Sequence, residues 1–72
     1  SPSYVTHTFK KIYHTSFYDY VINKRIEKAK TALKTHSITE TADMTVFKNR
    51  YHFSKVFKKV TGVTPKFYQV NL

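Results

Sequence analysis

Arg50, Tyr51, His52, Ser54, Lys55 and Lys58 fall within one short basic segment, between Asn49 and the chain's one glycine, Gly62. Arg50 offers the clearest chemistry. Its planar fork of donors can pair with O6 and N7 of a guanine, worth about 1–3 kcal/mol of base discrimination. Tyr51 can touch a thymine methyl or a phosphate. Ser54 and Lys58 suit phosphates, contacts that position a protein on nucleic acid without reading sequence. The same segment carries Phe53, Val56, Phe57 and Val60 at i, i+3, i+4 and i+7, so a helix here would bury one face. On that wheel Tyr51, Lys55 and Lys58 project the opposite way. The plainer role for Lys55, Lys58 and Lys59 is a solvated face, and for His52 partial burial beside the core.

Other chemistry finds little support. The four histidines, His7, His14, His36 and His52, do not pair at i, i+3 or i+4, and there is no cysteine, which argues against a zinc site. The four carboxylates are Asp19, Glu27, Glu40 and Asp43. No nucleophile–base pair and no phosphate-cradling glycine loop appears, so neither catalysis nor a cofactor is expected.

The elements that must position the basic segment are marked by helix starts. Ser37 with Glu40 forms a capping box, in which hydroxyl and carboxylate each satisfy an orphan amide. Ser16 with Asp19 resembles one, with Asp in place of Glu. Asn49 can cap the basic segment, and Ser1-Pro2 and Thr64-Pro65 each place a capping hydroxyl before a proline. Phe17, Val21, Ile22, Ile26, Ala29 and Leu33 keep helical spacing through the middle, and Val5, Phe9 and Ile12 make a shorter stripe. The pattern predicts an all-α fold of five helices at about 2–12, 17–35, 38–45, 50–60 and 65–70. No strand pattern competes.

Seventy-two residues make one small domain with a thin core. Six Tyr and six Phe supply apolar area to bury and argue against disorder. Thirteen Lys and Arg against four Asp and Glu give a net charge of +9. The charge is even: seven basic and two acidic residues in 1–36, six and two in 37–72. A basic globular domain of this kind suits polyanions, nucleic acid before membrane. No apolar run approaches the roughly 18 residues of a spanning helix, and the expected location is the cytoplasm.

With the segments placed, the chain resembles the DNA-binding domain of the AraC/XylS family of bacterial transcription regulators. The resemblance runs through SPSYVTHTFKK, SFYDYVINKRIEKAKTAL and SITETADMTVFKNRYHFSKVFKKVTGVTPKFYQ, nearly the whole sequence. Its most specific marks are RI followed by Ala29, and Phe47 followed by Phe53, FKK, Gly62 and Pro65. The resemblance implies two helix-turn-helix units on a linker helix, each offering one recognition helix to the major groove. Residues 1–15 would be the remnant of the first unit, 16–36 the linker and 37–72 the complete second unit, all in one domain. The helices preceding the first recognition helix, and the family's ligand-sensing or dimerising domain, are expected to lie outside this sequence. The fragment is expected to be monomeric, with a parent protein that can dimerise through the absent domain.

Resemblance places Arg50, Tyr51, His52 and Lys55 toward bases or nearby backbone in the second unit, with Asn49 at the helix entrance. In the first unit it places Ser3, Thr6 and His7 toward the groove and Lys10 near backbone. Arg25 reads as structural, its stem packed and its head paired with a carboxylate such as Asp19 or Glu27. The sequence also departs from the family pattern. Val46 and His14 stand where glycine is usual, and a β-branched residue at positive φ costs roughly 1–2 kcal/mol. Thr41 replaces a usual Ile and Gln69 a frequent Arg.

The leading expectation is sequence-specific binding of double-stranded DNA. One alternative is non-specific polyanion binding to RNA or bulk DNA by charge alone. Another is a protein-contact module, for RNA polymerase, on the exposed side of the linker helix. Membrane binding is disfavoured because the aromatic residues are spread over several helices.

Overall fold

A computed structural model describes residues 2–47 and 49–72, with side chains described from residue 8 onward. Five helices follow one another: α1 (Pro2–Tyr13), α2 (Phe17–Ala32), α3 (Ile38–Met44), α4 (Arg50–Thr61) and α5 (Pro65–Val70). Each start from α2 onward is set by the cap foreseen for it. Ser16 Oγ accepts from the Asp19 amide at 3.0 Å, Asn49 Oδ1 from the His52 amide at 2.8 Å, and Thr64 Oγ1 from the Phe67 amide at 3.1 Å. Ser1 lies outside the described residues. At α3 the box is reciprocal, Glu40 N–H to Ser37 Oγ at 3.1 Å and Ser37 N–H to Glu40 Oε1 at 3.0 Å.

That box holds the Glu40 carboxyl below its ordinary value. The Ser37 amide is the main cause, its hydroxyl the second, and His36 adds a smaller pull. A depressed carboxylate contributes stability that is present above its ordinary range and lost as pH falls through the lowered folded value. The thermal midpoint should therefore drop on acidification, and Glu40→Gln, which keeps the acceptor but cannot titrate in this range, should flatten part of that drop. An identical acid profile for both proteins would remove Glu40 from the account.

The core is built around α2. Ile22, Ile26, Ala29 and Leu33 meet Ala42 of α3 and Phe53 and Phe57 of α4, with Ile38, Phe47, Val56, Val63 and Tyr68 packed around them. Helix α2 ends at Ala32, short of the expected 35, because the chain tightens there: the Lys34 and Thr35 amides bond three residues back, at 3.2 and 3.0 Å. The Gln69 amide then donates to the Leu33 and His36 carbonyls at 3.1 and 2.8 Å, so α5 caps the end of α2.

Three stripe positions depart from expectation, the first being Phe17 at the start of α2, which is 48% exposed. Val60 is 41% exposed because it borders a cleft between α2 and α4, with Tyr18 and Lys59, that neither helix closes. Ile12 is 62% exposed. The described ring contacts of α1 with α2 run through Phe9, which meets Phe17 and Tyr20 edge-on at 5.2 and 5.0 Å, and through Tyr13, 5.7 Å from Tyr20, and Ile12 takes no part in them.

The turns explain three further residues. Gly62 ends α4 at φ 86°, its amide bonded to the Lys58 carbonyl. His14 and Val46 adopt the same left-handed region at φ 61° and 59° without being glycine. For β-branched Val46 the strain is about 1–2 kcal/mol, of which glycine's extra freedom in the unfolded chain returns part. Val46 is 72% exposed, so little packing is lost with its side chain. Val46→Gly should raise stability by about 1 kcal/mol, or roughly 4–8 °C in thermal midpoint. A lower midpoint would show that the turn relaxes without cost.

Candidate nucleic-acid interface

Helix α3, the turn after it and α4 form the frame. The turn is closed from inside by Thr45, whose hydroxyl donates to the Thr41 carbonyl at 2.9 Å with a longer approach to Ala42 at 3.2 Å. Phe47 then fills the corner. Its ring lies 5.6 Å from both His52 and Phe53, and the Arg25 guanidinium of α2 sits 5.8 Å above it. Arg25 is thus structural as expected, but through a cation–π contact. The expected carboxylate partner is not found, since the one ion pair among the described residues is Lys30–Glu27 at 3.4 Å.

With Phe53 and Phe57 buried, the opposite face of α4 is turned to solvent. Arg50, Tyr51, Lys55 and Lys58 are exposed, Tyr51 at 77%. Asn49, Arg50, Tyr51 and Ser54 line one open groove together with Ile38 from the start of α3. Four of the residues proposed from the sequence are thereby brought together at the first turns of α4. Lys55 and Lys58 stand outside that groove on the same exposed side. Lys58 and Lys59 also occupy the last turn of α4, where cations complement the helix dipole.

His52 behaves differently. It is half-buried edge-on against Phe47, and its Nδ1 is buried with no hydrogen-bond partner among the described residues. Partial burial beside the core, the plainer of its two readings, matches this placement. In α1, Lys10 is exposed. The side chains of Ser3, Thr6 and His7 lie outside the described residues.

One contact at the site had no sequence signal. Arg50 Nη1 donates to Thr39 Oγ1 at 3.0 Å, joining the first turns of α3 and α4. The two residues follow no helical period, so nothing in the order of residues pairs them. On α2, Lys24 lies 5.4 Å over the Tyr20 ring. Among the described residues no group of three or more His, Cys, Asp or Glu is placed to hold a metal ion, and no helix is long and apolar enough to cross a membrane.

Comparison with known proteins agrees with this geometry. A helix-turn-helix domain family matches residues 1–71. The chain belongs to the AraC-type helix-turn-helix family. It is 42% identical over 66 residues to an uncharacterized HTH-type transcriptional regulator in the cgkA 5′ region of Pseudoalteromonas carrageenovora, covering 92% of this chain and 40% of that protein. It is 34% identical over 74 residues to the raffinose operon transcriptional regulatory protein RafR of Pediococcus pentosaceus, covering 100% of this chain and 27% of that one. The fold matches the C-terminal domain of the two-component response regulator yesN from Fusobacterium nucleatum with a TM-score of 0.91 at 38% identity, over 96% of this chain and 69% of that chain. The AraC-type chain spans less than half the length of these two regulators. The family is one of DNA-binding helix-turn-helix domains found in transcription regulators.

Proposed function

We propose that α4 enters the major groove of double-stranded DNA and reads base sequence there, as part of a bacterial transcription regulator. The observation that carries this reading is the solvent-facing first turn of α4. Asn49, Arg50, Tyr51 and Ser54 share one open groove there, on a helix anchored through Phe53 and Phe57. Entry of the N-terminal part of the second helix into the major groove is the common docking mode of such units. The net charge of +9 supplies attraction to phosphates, with Lys55 and Lys58 beside the groove as backbone contacts. Helix α1, through Ser3, Thr6, His7 and Lys10, would occupy the next groove segment, one helical turn or about 34 Å along the same duplex face.

The test is a selection from a randomised duplex pool at about 150 mM salt, where charge-only binding is weakened. An enriched motif is expected. Arg50→Ala should relax one base position by about 1–3 kcal/mol, whereas Lys58→Ala should weaken all sequences alike and reduce the salt slope by about 0.9. Binding without enrichment, or an Arg50→Ala loss equal on every sequence, would favour the charge-only alternative.

A further inference from the structure

Thr39 sits in the first turn of α3 but takes no part in its cap, which Ser37 and Glu40 complete between themselves. Its hydroxyl is instead the acceptor for Arg50 Nη1, at 3.0 Å. Both side chains are exposed, so burial does not force them together. An exposed arginine otherwise samples many rotamers, and fixing one on binding costs side-chain entropy. The guanidinium has five N–H donors, and the bond to Thr39 uses one. Four remain, more than the two that a bidentate contact with guanine O6 and N7 requires. Ile38, the neighbour of Thr39, lines the same groove as Arg50, so the first turn of α3 faces the space where a base edge would lie.

We propose that Thr39 is a positioning residue for base readout: it holds the Arg50 guanidinium in the orientation that meets a guanine edge, without itself touching the base. The proposal rests on Arg50 being the guanine-facing residue. Thr39 then shapes selectivity at one base pair and leaves general affinity alone. This distinguishes it from a phosphate contact, which would act on every sequence, and from a stability role, which would move the thermal midpoint.

The experiment compares wild type, Thr39→Val, Thr39→Ser, Arg50→Ala and the Thr39→Val/Arg50→Ala double variant. Each is tested on the selected duplex and on duplexes changed at the Arg50-dependent base pair, at about 150 mM salt. Side-chain NMR of the Arg50 guanidinium in the DNA-free protein is recorded in parallel. Thr39→Val should reduce discrimination at that base pair by about three- to tenfold, the range of one lost hydrogen bond. Binding to the non-preferred duplexes, the salt slope and the thermal midpoint should not change. Thr39→Ser should restore discrimination, and Thr39→Val should have no effect once Arg50 is alanine. Arg50 should be motionally restricted in the free wild type and freer in Thr39→Val. Equal loss on all duplexes would overturn the proposal in favour of a phosphate contact. Unchanged discrimination in Thr39→Val, while Arg50→Ala relaxes the position, would overturn it as well and leave the Arg50 reading standing. If Arg50→Ala relaxes no position, the Arg50 reading fails and the proposal falls with it.

Discussion

Phe53→Ala is expected to lower the thermal midpoint by roughly 15–30 °C, the largest single change foreseen here. Phe53 is fully buried and packs against Phe47 at 5.6 Å and Phe57 at 5.7 Å between ring centres. Deleting such a ring costs about 3–5 kcal/mol, from lost transfer and from the cavity left behind. A domain of this length holds only about 4–11 kcal/mol in total, so the variant would be close to unfolding at 37 °C. Phe53→Leu, which refills most of the space, should lose far less. Melting followed by helical circular dichroism checks both. A drop of under about 5 °C for the alanine variant would mean that α4 is not anchored by this ring. The same variant separates folding from function: DNA binding should return on cooling into its folded range, because Phe53 lies on the face of α4 away from the exposed side chains.

Thr41→Val should raise stability by about 1–3 kcal/mol, and Thr45→Val should lower it by about 0.5–1.5 kcal/mol. Both threonines are buried, at 0% and 1% exposure, so the same change is made twice in similar surroundings. Their hydroxyls differ. Thr45 Oγ1 donates to the Thr41 carbonyl at 2.9 Å, whereas Thr41 Oγ1 has no hydrogen-bond partner among the described residues. Valine keeps the shape of threonine and removes only the hydroxyl. At Thr41 this relieves an uncompensated desolvation, and at Thr45 it discards a bond that closes the turn before α4. Chemical denaturation of the two variants gives the sign directly. Loss of stability in both would show that Thr41 finds a partner in solution, and the departure from the usual Ile would then carry no cost.

Much of this architecture is local, and local physics is legible in the order of residues. A capping side chain reaches only two or three residues along its own chain, so Ser16, Ser37, Asn49 and Thr64 mark helix starts without reference to the rest of the molecule. Left-handed backbone at His14 and Val46 is equally local, and it falls where the family resemblance places glycine. The burial of Ile22, Ile26, Ala29, Leu33, Phe53 and Phe57 follows from helical spacing alone.

Helical spacing says which residues share a face, not how far a neighbouring element extends over it. That is why Val60 and Ile12 lie exposed although their stripes run inward. Contacts between elements have no period to betray them. Arg25 settled over Phe47 where a carboxylate pairing was expected, and Gln69 reached the end of α2 across more than thirty residues. The pairing of Thr39 with Arg50 belongs to the same class. By itself the sequence determined the all-helical class, the helix starts, most of the core and the basic exposed face of α4, each the product of neighbours along the chain. Only the tertiary structure decided which side chains meet across helices, because those meetings depend on how α3, α4 and α5 dock around α2.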